Sequence, residues 1–352
     1  MVLPLSERKM NLAISGAGRI GRAVFRAFYE NRSRYKGLNL VALNDPHDFS
    51  TLTHLLKYDS VHGPFRLPIS LESDPCRLEV NGESVLLQSS RSPKELPWKS
   101  LDIDCVLECS GCFKDRIGLS QHIDAGARKV LLSSPAKGPV DATVVLGANE
   151  KALKQEHDVI SIGSCTTNAL APVLKMLQSM VTVNNCFFTT VHAYTKDQSL
   201  VDSHHRDLRR GRAAGQSIIP TKTGASKTVS EVLPEFLGKV EGYALRVPTA
   251  NVSLLDLVVE LKEPIDQSKL EIMITDYAYQ SPVLSVTREP LVSCDFNQNP
   301  ASAVIDLSQL QMNGRTLRLV AWYDNEWAYA LRMLDMASKI FSLSFSEMAS
   351  SH

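Results

Sequence analysis

The 352-residue sequence predicts an α/β protein with two domains. Residues 1–163 are expected to form an N-terminal Rossmann domain, and residues 164–325 an α+β domain with a mainly antiparallel sheet. Three observations support this prediction. The chain is too long for one ordinary hydrophobic core. Short β-branched runs alternate with helical patterns in the first half, which is typical of a parallel sheet, and longer strand-like runs fill the second half. A closing amphipathic helix, 326–341, is expected to dock back on the first domain.

Composition narrows the class of protein. Hydrophobic residues make up 44% of the chain and charged residues 22%, as in ordinary globular proteins. The 38 basic residues balance the 38 acidic ones, so no overall field favours nucleic acid and no specific nucleic-acid partner is predicted. No apolar stretch approaches the roughly 20 residues that span a bilayer, and the first charge comes too early for a signal peptide. We therefore expect no membrane association and a cytoplasmic location.

The cysteines do not indicate a metal site. They number seven, an odd count, and lack the paired spacing of a zinc site, so we predict no metal. Cys109 and Cys112 form one C-x-x-C pair, but Gly111 and the preceding apolar run favour a strand-to-loop turn over a redox pair.

A glycine-rich turn near the N-terminus predicts a dinucleotide site. The apolar run 11–15 leads directly into this turn, and a helical pattern follows it. Gly16 would permit the tight turn, Gly18 the close approach of a pyrophosphate, and Gly21 the packing of the helix on the strand. The candidate cofactor residues of this turn are Gly16, Gly18, Arg19, Ile20 and Gly21.

The next strand identifies the cofactor. The apolar run 38–44 ends at Asp45, whose carboxylate would accept hydrogen bonds from a ribose and repel a 2′-phosphate. The predicted cofactor is therefore NAD rather than NADP. Ligands of doubly wound sheets bind beyond the carboxyl ends of the strands, where Ser110, Gly111 and Ser133 are expected to lie.

Cys165 is the candidate nucleophile. It follows a strand-like run and begins a helical pattern, and at a helix N-terminus the dipole and the unpaired amides favour a thiolate. Cysteines so placed titrate at roughly 3.5–7.5 instead of about 8.5. The alternative is a small buried hydrophobic residue. His192, at the end of the apolar run 186–191, is expected to reach the thiolate and raise its nucleophilicity, and to act as base for the hydroxyl proton of the adduct that the sulfur forms, with a packing role as the alternative.

Several positions indicate binding of anionic groups. Arg246 lies in an apolar run, where a guanidinium needs an anionic partner, and we interpret it as a phosphate ligand. Thr223 and Gly224 precede a helical pattern and suit either a phosphate cradle or simple capping. The polar loop 196–215 contains several arginines, including Arg210, and both an anionic ligand and a subunit contact stay open for it.

These features together predict oxidation of an aldehyde through a thioester. A thiolate that adds to a bound aldehyde makes it a hydride donor to the dinucleotide. The resulting thioester is open to inorganic phosphate, which gives an acyl phosphate, or to water, which gives an acid.

Six segments of the chain form a series that extends through its second half. They are Ser164-Cys165-Thr166-Thr167-Asn168, His192-Ala193-Tyr194-Thr195, Asp207-Leu208-Arg209-Arg210, Thr221-Lys222-Thr223-Gly224, Arg246-Val247-Pro248-Thr249 and Tyr323-Asp324-Asn325-Glu326-Trp327. In this order they resemble the glyceraldehyde-3-phosphate dehydrogenase family, from about residue 11 to 341. The resemblance implies oxidation of D-glyceraldehyde 3-phosphate to 1,3-bisphosphoglycerate with NAD and inorganic phosphate, by a homotetramer.

The resemblance also implies residue roles. Cys165 would be the nucleophile and His192 its partner. The residues implied near the substrate phosphate are Thr195, Asp197 and Arg246, and those near the attacking phosphate are Ser164, Thr166, Thr223 and Gly224. Asn325 would lie by the nicotinamide carboxamide, and the loop 196–215 by a neighbouring subunit's cofactor.

Two alternatives remain. Erythrose-4-phosphate dehydrogenases are similar throughout but commonly depart at the two phosphate motifs, where this chain keeps Thr195 and Thr223-Gly224; this favours the triose substrate. Lys222 departs from the family pattern beside the same motif. A non-enzymatic NAD-binding or redox-sensing protein on the same fold is the second alternative, and the intact Cys165 and His192 argue against it.

Overall fold

The structure is a computed structural model that describes residues 8–74 and 76–350, with only the helical backbone for residues 345–350. The short N-terminal run that argues against a signal peptide lies mostly outside the described residues. The chain divides into two compact units. Unit 1 contains the described residues up to Val144, residues 151–163 and the chain from Ala330 onward, and unit 2 contains residues 145–150 and 164–329.

Unit 1 contains a nine-stranded sheet. Its strands are β1 (Met10–Ser15), β2 (Leu38–Asn44), β5 (Ile69–Ser73), β6 (Cys76–Val80), β7 (Glu83–Gln88), β8 (Cys105–Glu108), β9 (Lys129–Leu132), β10 (Ala142–Thr143) and β11 (Val159–Ser161), with a separate pair, β3 (Tyr58–Asp59) and β4 (Gly63–Pro64). The helices are α1 (Arg19–Glu30), α2 (Phe49–Lys57), α3 (Arg116–Asp124) and most of α7 (Trp327–Ser350). Short 3-10 turns lie at Pro93–Glu95, Glu150–Ala152, Pro234–Phe236 and Ser293–Phe296 along the whole chain.

The large sheet has the order β10-β11-β9-β8-β1-β2-β7-β6-β5. Strands β10 to β7 in this order pair in parallel, and β7, β6 and β5 form an antiparallel edge. The prediction of a doubly wound parallel sheet is therefore confirmed. The apolar runs of β8 and of Val130, Leu131 and Leu132 in β9 are buried, as strands covered on both faces require. The β6–β7 turn is Asn81-Gly82, with positive φ values of 50° and 83°, as expected for a two-residue hairpin.

Unit 2 contains a seven-stranded sheet with the order β13-β14-β12-β15-β18-β17-β16. The strands are β12 (Val183–Ala193), β13 (Ile219–Lys222), β14 (Val240–Val247), β15 (Ser253–Leu261), β16 (Leu284–Thr287), β17 (Ala303–Asn313) and β18 (Thr316–Tyr323). The helices are α4 (Cys165–Met180), α5 (Ala225–Val232) and α6 (Gln267–Gln280). Only the β12–β14 and β16–β17 pairs are parallel, so the prediction of a mainly antiparallel sheet is confirmed.

The core of unit 2 lies between one face of this sheet and its helices. Alternate residues of β15, from Leu255 to Leu261, are buried in the same hydrophobic cluster as Leu170, Val173 and Leu177 of α4. Each fully buried leucine contributes about 1.5–3 kcal/mol of transfer free energy. This packing fixes the position of the first turn of α4, which begins at Cys165.

Two helices differ from the sequence prediction. Helix α6 is not predicted from the sequence. Only Leu270, Ile274 and Ala278 are buried along its 14 residues, so the apolar stripe that would indicate a helix is weak. Helix α7 extends to Ser350, beyond the predicted end at 341. The Ser342 and Ser344 hydroxyls donate to backbone carbonyls four residues earlier, so the polar serines are accommodated within the helix. In the described part of the chain, no helix combines the length and apolar character of a membrane span.

Candidate active site

Cys165 is the first residue of α4, as the helical pattern predicts. The Ser164 hydroxyl caps the helix by accepting a hydrogen bond from the Thr167 N–H at 3.0 Å. The Asn168 side chain donates to the Ser164 carbonyl at 2.9 Å. Helix α4 continues through Pro172 without a break. The cap and the side-chain amide therefore hold the cysteine at the start of a rigid, buried helix.

His192 lies near the end of β12 and reaches this cysteine. Its Nε2 atom is 3.5 Å from the Cys165 Sγ atom, and the side chain is buried. The expectation that a histidine at a strand end reaches the sulfur thus agrees with the structure. A sulfur and an imidazole at this distance can exchange a proton.

Burial and Arg246 shift the pKa values of both members of the pair. Burial raises the pKa of the Cys165 thiol above its ordinary value, although Arg246 and hydrogen bonds at the helix start oppose the increase. Burial and the Arg246 guanidinium lower the pKa of His192 to about 3. Burial thus shifts the pKa of the thiol in the direction opposite to the one expected from the helix terminus, and it favours the neutral form of the imidazole. The prediction considered the helix terminus alone, whereas removal of the sulfur from water has the larger effect.

Arg246 lies beside His192 in the parallel β12–β14 ladder. Its Nη1 atom is 2.6 Å from the His192 Nδ1 atom and donates to the Ala193 carbonyl at 2.9 Å. Its Nε atom is buried and has no hydrogen-bond partner among the described residues. A buried guanidinium N–H without an acceptor is costly, and an anion would satisfy it. This orphaned donor fits the sequence-based interpretation of Arg246 as a phosphate ligand.

Tyr323, at the end of β18, connects the two elements of the site. Its hydroxyl lies 3.0 Å from the Thr166 Oγ1 atom on α4 and 2.7 Å from the Thr190 Oγ1 atom on β12. Its ring contacts the His192 ring edge-on, with centroids 6.0 Å apart. Tyr323 and both threonines are buried. One side chain thus joins the start of α4 to the strand that presents the base.

The orientation of Asn325 is fixed by Ser253. The Ala193 N–H donates to the Ser253 Oγ atom at 3.1 Å, and the Ser253 hydroxyl donates to the Asn325 Oδ1 atom at 2.8 Å. Because a backbone N–H can only donate, the serine proton is directed to the asparagine oxygen. The Asn325 Nδ2 atom therefore faces away from Ser253. Val252, the residue before Ser253, has a φ of 66°. This backbone conformation is strained for a β-branched residue and costs on the order of 1–3 kcal/mol.

Arg210, in the polar loop 196–215, forms hydrogen bonds with other protein groups. Arg210 donates through Nε to the Thr221 hydroxyl at 2.9 Å, through Nη1 to the Asp197 carboxylate, and through Nη2 to the Lys222 carbonyl at 3.3 Å. Thr221 in turn donates to Asp207 at 3.0 Å. Arg210 and Asp197 thus neutralise each other and order the loop, and an anion would reach them as a pair.

The remaining phosphate candidates lie at strand and helix ends. Thr195 follows β12 and is half-buried, and its carbonyl accepts a hydrogen bond from the Gln198 N–H at 2.9 Å. Thr223 accepts from the Ala225 N–H at 3.2 Å, and Gly224 is the N-cap of α5 with open space where a Cβ atom would be, so both a phosphate cradle and a purely local role stay open. Lys222 points to the opposite face of β13 from the buried Thr221, and it is exposed.

The glycine turn of unit 1 leaves room for a ligand. Gly16 has a φ of 92°, and a Cβ atom there would lie 2.3 Å from the Ser110 Cα atom. A Cβ atom on Gly21 would lie 1.9 Å from the Gly16 carbonyl oxygen. At Gly18, in contrast, a Cβ atom would meet nothing within 4 Å, so the backbone is open to an approaching group. This cradle at the start of α1 fits a pyrophosphate.

The acid after β2 is fixed by the same turn. The Asp45 Oδ2 atom accepts from the Ala17 N–H at 2.8 Å, and its Oδ1 atom lies 2.6 Å from the His47 Nδ1 atom. Burial opposes ionisation, but the hydrogen bonds from Ala17 and His47 hold the pKa of Asp45 below its ordinary value. Arg19, in the first turn of α1, pairs with Asp59 at 2.6 Å. A carboxylate fixed in this way suits a ribose.

The other cofactor candidates of unit 1 lie at the carboxyl ends of the parallel strands. Ser110 and Gly111 follow β8, and Ser133 follows β9 and donates its N–H to the Glu108 carbonyl at 3.0 Å. Gly111 has a φ of 72°, and Ile20 is half-buried in the first turn of α1. Among the residues that the structure describes, no group of three or more His, Cys, Asp or Glu side chains could hold a metal ion.

Sequence comparisons agree with both halves of this arrangement. The family model described as "Glyceraldehyde 3-phosphate dehydrogenase, NAD binding domain" matches residues 10–116, and the model described as "Glyceraldehyde 3-phosphate dehydrogenase, C-terminal domain" matches residues 164–325. A glyceraldehyde-3-phosphate dehydrogenase of Pseudomonas aeruginosa is 47% identical over 328 residues, which cover 93% of this chain and 97% of that protein. Glyceraldehyde-3-phosphate dehydrogenase 2 of Bacillus subtilis is 47% identical over 333 residues, 93% of this chain and 96% of that protein.

Proposed function

Since this chain belongs to the glyceraldehyde-3-phosphate dehydrogenase family, we propose that its Cys165–His192 pair carries out the reaction of that family. The enzyme is an NAD-dependent oxidoreductase that converts D-glyceraldehyde 3-phosphate and inorganic phosphate to 1,3-bisphosphoglycerate. The observation that supports the role of the pair is the 3.5 Å distance between the Cys165 Sγ and His192 Nε2 atoms at the start of a capped helix.

The first step is activation of the thiol. In the structure, the Arg246 guanidinium lies against the His192 Nδ1 atom. When the substrate phosphate draws the guanidinium toward itself, Nδ1 is left to donate to the Ala193 carbonyl, which is 2.7 Å away. The Nε2 lone pair then faces the sulfur and accepts the thiol proton. A base positioned in this way contributes about 10²–10⁴ in rate.

The second step is covalent. The sulfur adds to the aldehyde carbon, the carbonyl bond opens, and the protonated Nε2 atom of His192 donates to the new oxygen atom to give a hemithioacetal. His192 then takes the hydroxyl proton as the carbon loses a hydride and the thioester forms. Bound NAD supplies the acceptor for that hydride. The Asn325 Nδ2 atom, turned away from Ser253, is proposed to orient the nicotinamide carboxamide.

The third step is attack of inorganic phosphate on the thioester. The proposed ligands of this phosphate are Ser164, Thr166, Thr223 and Gly224. A phosphate oxygen forms the new bond to carbon, the carbon–sulfur bond breaks, and the Cys165 sulfur leaves and regains its proton from His192. The substrate phosphate is assigned to Arg246 and Thr195, with Arg210 and Asp197 as an ordered pair beside them.

The cofactor is assigned to unit 1. The proposed ligands are Gly16, Gly18, Arg19, Ile20, Gly21, Asp45, Ser110, Gly111 and Ser133. The open backbone at Gly18 and the fixed Asp45 carboxylate support this assignment. On the same grounds we assign cofactor binding to the domain over residues 1–163 and catalysis to residues 164–325, with the helix from residue 326 belonging to the first domain.

We also propose that the enzyme is a homotetramer, with the outer face of the unit 2 sheet as a contact between copies. Phe187, Tyr243 and Val258 lie on this face on three neighbouring strands and are 65%, 48% and 44% exposed. Arg318 and Asp256 pair on the same face, so the surface offers both charges to a second copy. Phe187→Glu should dissociate the assembly in sedimentation experiments. Tyr279→Glu, on a 92% exposed residue of α6, should not.

A cytoplasmic location is proposed as well. All seven cysteines are free thiols, which is usual in reducing compartments.

The proposed activity is tested by NADH formation with glyceraldehyde 3-phosphate and with erythrose 4-phosphate, each with and without inorganic phosphate. We expect phosphate-dependent turnover with the triose. Preference for the tetrose without phosphate dependence would contradict the substrate assignment, and no turnover with either would contradict the enzymatic role.

A further inference from the structure

Next to the glycine turn of unit 1 lies a series of buried, hydrogen-bonded polar residues that the proposed reaction does not use. We call it the hydrogen-bond chain. Trp98, His122 and Glu108 come from three different segments: the chain after Pro93–Glu95, helix α3 and strand β8. All three are fully buried. Burial of polar groups is costly unless each one is satisfied, so such a chain needs a physical reason.

The hydrogen bonds of this chain have one direction. The Trp98 Nε1–H donates to the His122 Nδ1 atom at 3.0 Å, and an indole N–H can only donate. The imidazole proton is therefore on Nε2, which donates to the Glu108 Oε2 atom at 3.1 Å. The other oxygen, Oε1, accepts from the Ser110 N–H at 2.8 Å and from the Ser110 hydroxyl. The indole thus fixes the tautomer, and the carboxylate acts as an acceptor on both sides.

The hydrogen-bond chain ends at the loop that is proposed to hold the cofactor. The Ser110 hydroxyl, while donating to Glu108, accepts from the Cys112 N–H at 3.1 Å, and so it orders the segment that contains Gly111. The Ser110 Cα atom also lies against Gly16, where any Cβ atom would approach it to 2.3 Å. A shift of Ser110 would therefore be transmitted directly to the glycine turn.

We propose that Trp98, His122 and Glu108 are positioning residues of the dinucleotide site, which hold Ser110 in the conformation that the cofactor requires. This inference rests on the proposed function, because it takes Ser110 and Gly16 as cofactor ligands. The residues act through Ser110 and do not touch the ligand. An apolar trio of similar volume would fill the same space but would leave the Ser110 N–H and hydroxyl without their acceptor.

The test is NAD affinity, measured by equilibrium titration of the full-length protein. In Glu108→Gln, the amide nitrogen must face either the two Ser110 donors or the His122 Nε2–H, since Trp98 prevents the imidazole from exchanging its proton. We expect the NAD dissociation constant to rise about tenfold, as for loss of one net hydrogen bond to a charged group. In Trp98→Phe, which removes one N–H and keeps the ring, we expect about a threefold rise.

The double variant Glu108→Gln/Trp98→Phe separates positioning from simple destabilisation. Without the indole, His122 can move its proton to Nδ1 and accept from the glutamine amide. NAD should therefore bind to the double variant no more weakly than to Glu108→Gln alone. The matched control is Val106→Ala, a buried cavity variant two residues away on β8, which should lower the melting temperature and leave NAD affinity unchanged.

Independent, multiplying effects of the two substitutions would overturn the proposal. So would wild-type affinity in Glu108→Gln, or an affinity loss in Val106→Ala equal to that in Glu108→Gln. If Glu108→Gln does not fold, wild-type affinity in Trp98→Phe overturns the proposal by itself. A wild-type protein that does not bind NAD would overturn the cofactor assignment as well, which distinguishes the two failures.

Discussion

The Arg246 Nη1 atom lies 2.6 Å from the His192 Nδ1 atom. The group proposed to bind the substrate phosphate therefore touches the group proposed to act as base. A guanidinium always donates, so its contact keeps the imidazole proton on Nε2. A protonated Nε2 atom cannot accept the thiol proton. Binding of the phosphate would release Nδ1 and so couple substrate binding to activation of Cys165.

The first prediction concerns this coupling. Arg246→Leu should lower kcat/KM for glyceraldehyde 3-phosphate by about 100-fold or more, because charge-assisted hydrogen bonds to the phosphate are lost. With unphosphorylated glyceraldehyde no such loss is expected, since no phosphate contact is removed and the leucine leaves His192 Nδ1 free of the guanidinium. Arg288→Leu, on an exposed arginine of the same unit, serves as the control. An equal loss with both aldehydes would refute the phosphate role.

The second prediction concerns the nucleophile. Cys165→Ser should reduce turnover by about 10³-fold or more, because a hydroxyl is a far weaker nucleophile than a thiolate. NAD affinity, measured by titration, should be retained because the glycine turn and Asp45 are unchanged. Cys294→Ser, on an exposed cysteine, should behave as wild type in both measurements. Substantial residual dehydrogenase activity in Cys165→Ser would rule out a covalent mechanism.

The third prediction concerns the tyrosine that joins α4 to β12. Tyr323→Phe removes the hydroxyl between Thr166 and Thr190, so the sulfur and the imidazole are held less firmly. We expect kcat to fall about tenfold and alkylation of Cys165 by iodoacetamide to slow with it. Tyr279→Phe, on a 92% exposed ring, is the control. Loss of thermal stability with unchanged kcat and alkylation rate would mean that Tyr323 only supports the core.

The fourth prediction concerns pH. Burial and Arg246 lower the pKa of His192 to about 3, whereas an unfolded histidine titrates near 6.5. The unfolded chain therefore binds the proton first, so the stability due to neutral His192 is complete above about pH 6.5 and is lost as the pH falls toward 3. The loss at pH 5 should be about 2 kcal/mol.

This pH effect is measured by urea unfolding at pH 7.5 and pH 5. His192→Gln should lose less stability between the two values than the wild type. His204→Gln, on an exposed histidine, should retain the wild-type pH dependence. Parallel curves for the wild type and His192→Gln would show that His192 is not the group responsible.

Sequence patterns predict those parts of the fold and the site that depend on residues adjacent in the sequence. The turn after β1, the acid after β2 and the cysteine at the start of α4 each follow from residues that are adjacent in sequence. Tyr323 and Thr166 are 157 positions apart, and no spacing relates them. The hydrogen-bond chain of Trp98, His122, Glu108 and Ser110 likewise depends on segments that only the fold brings together.

The direction of the Cys165 pKa shift shows the same limit. A helix N-terminus can be predicted from the sequence, and it favours a thiolate. The number of water molecules around the sulfur cannot be predicted in this way, because it depends on side chains from distant strands. Lys222 is a similar case: its place in the phosphate motif draws attention to it, and the pleat of β13 turns it to the other face of the sheet.

The left-handed backbone at Val252 has a consequence for engineering and evolution. A glycine there would relax the strain, but it would also remove a buried side chain that packs with Phe296 and Val304, so it should destabilise the folded state. Glycine would also loosen Ser253, which orients Asn325. Selection for heat resistance and selection for turnover would therefore both keep this strained valine.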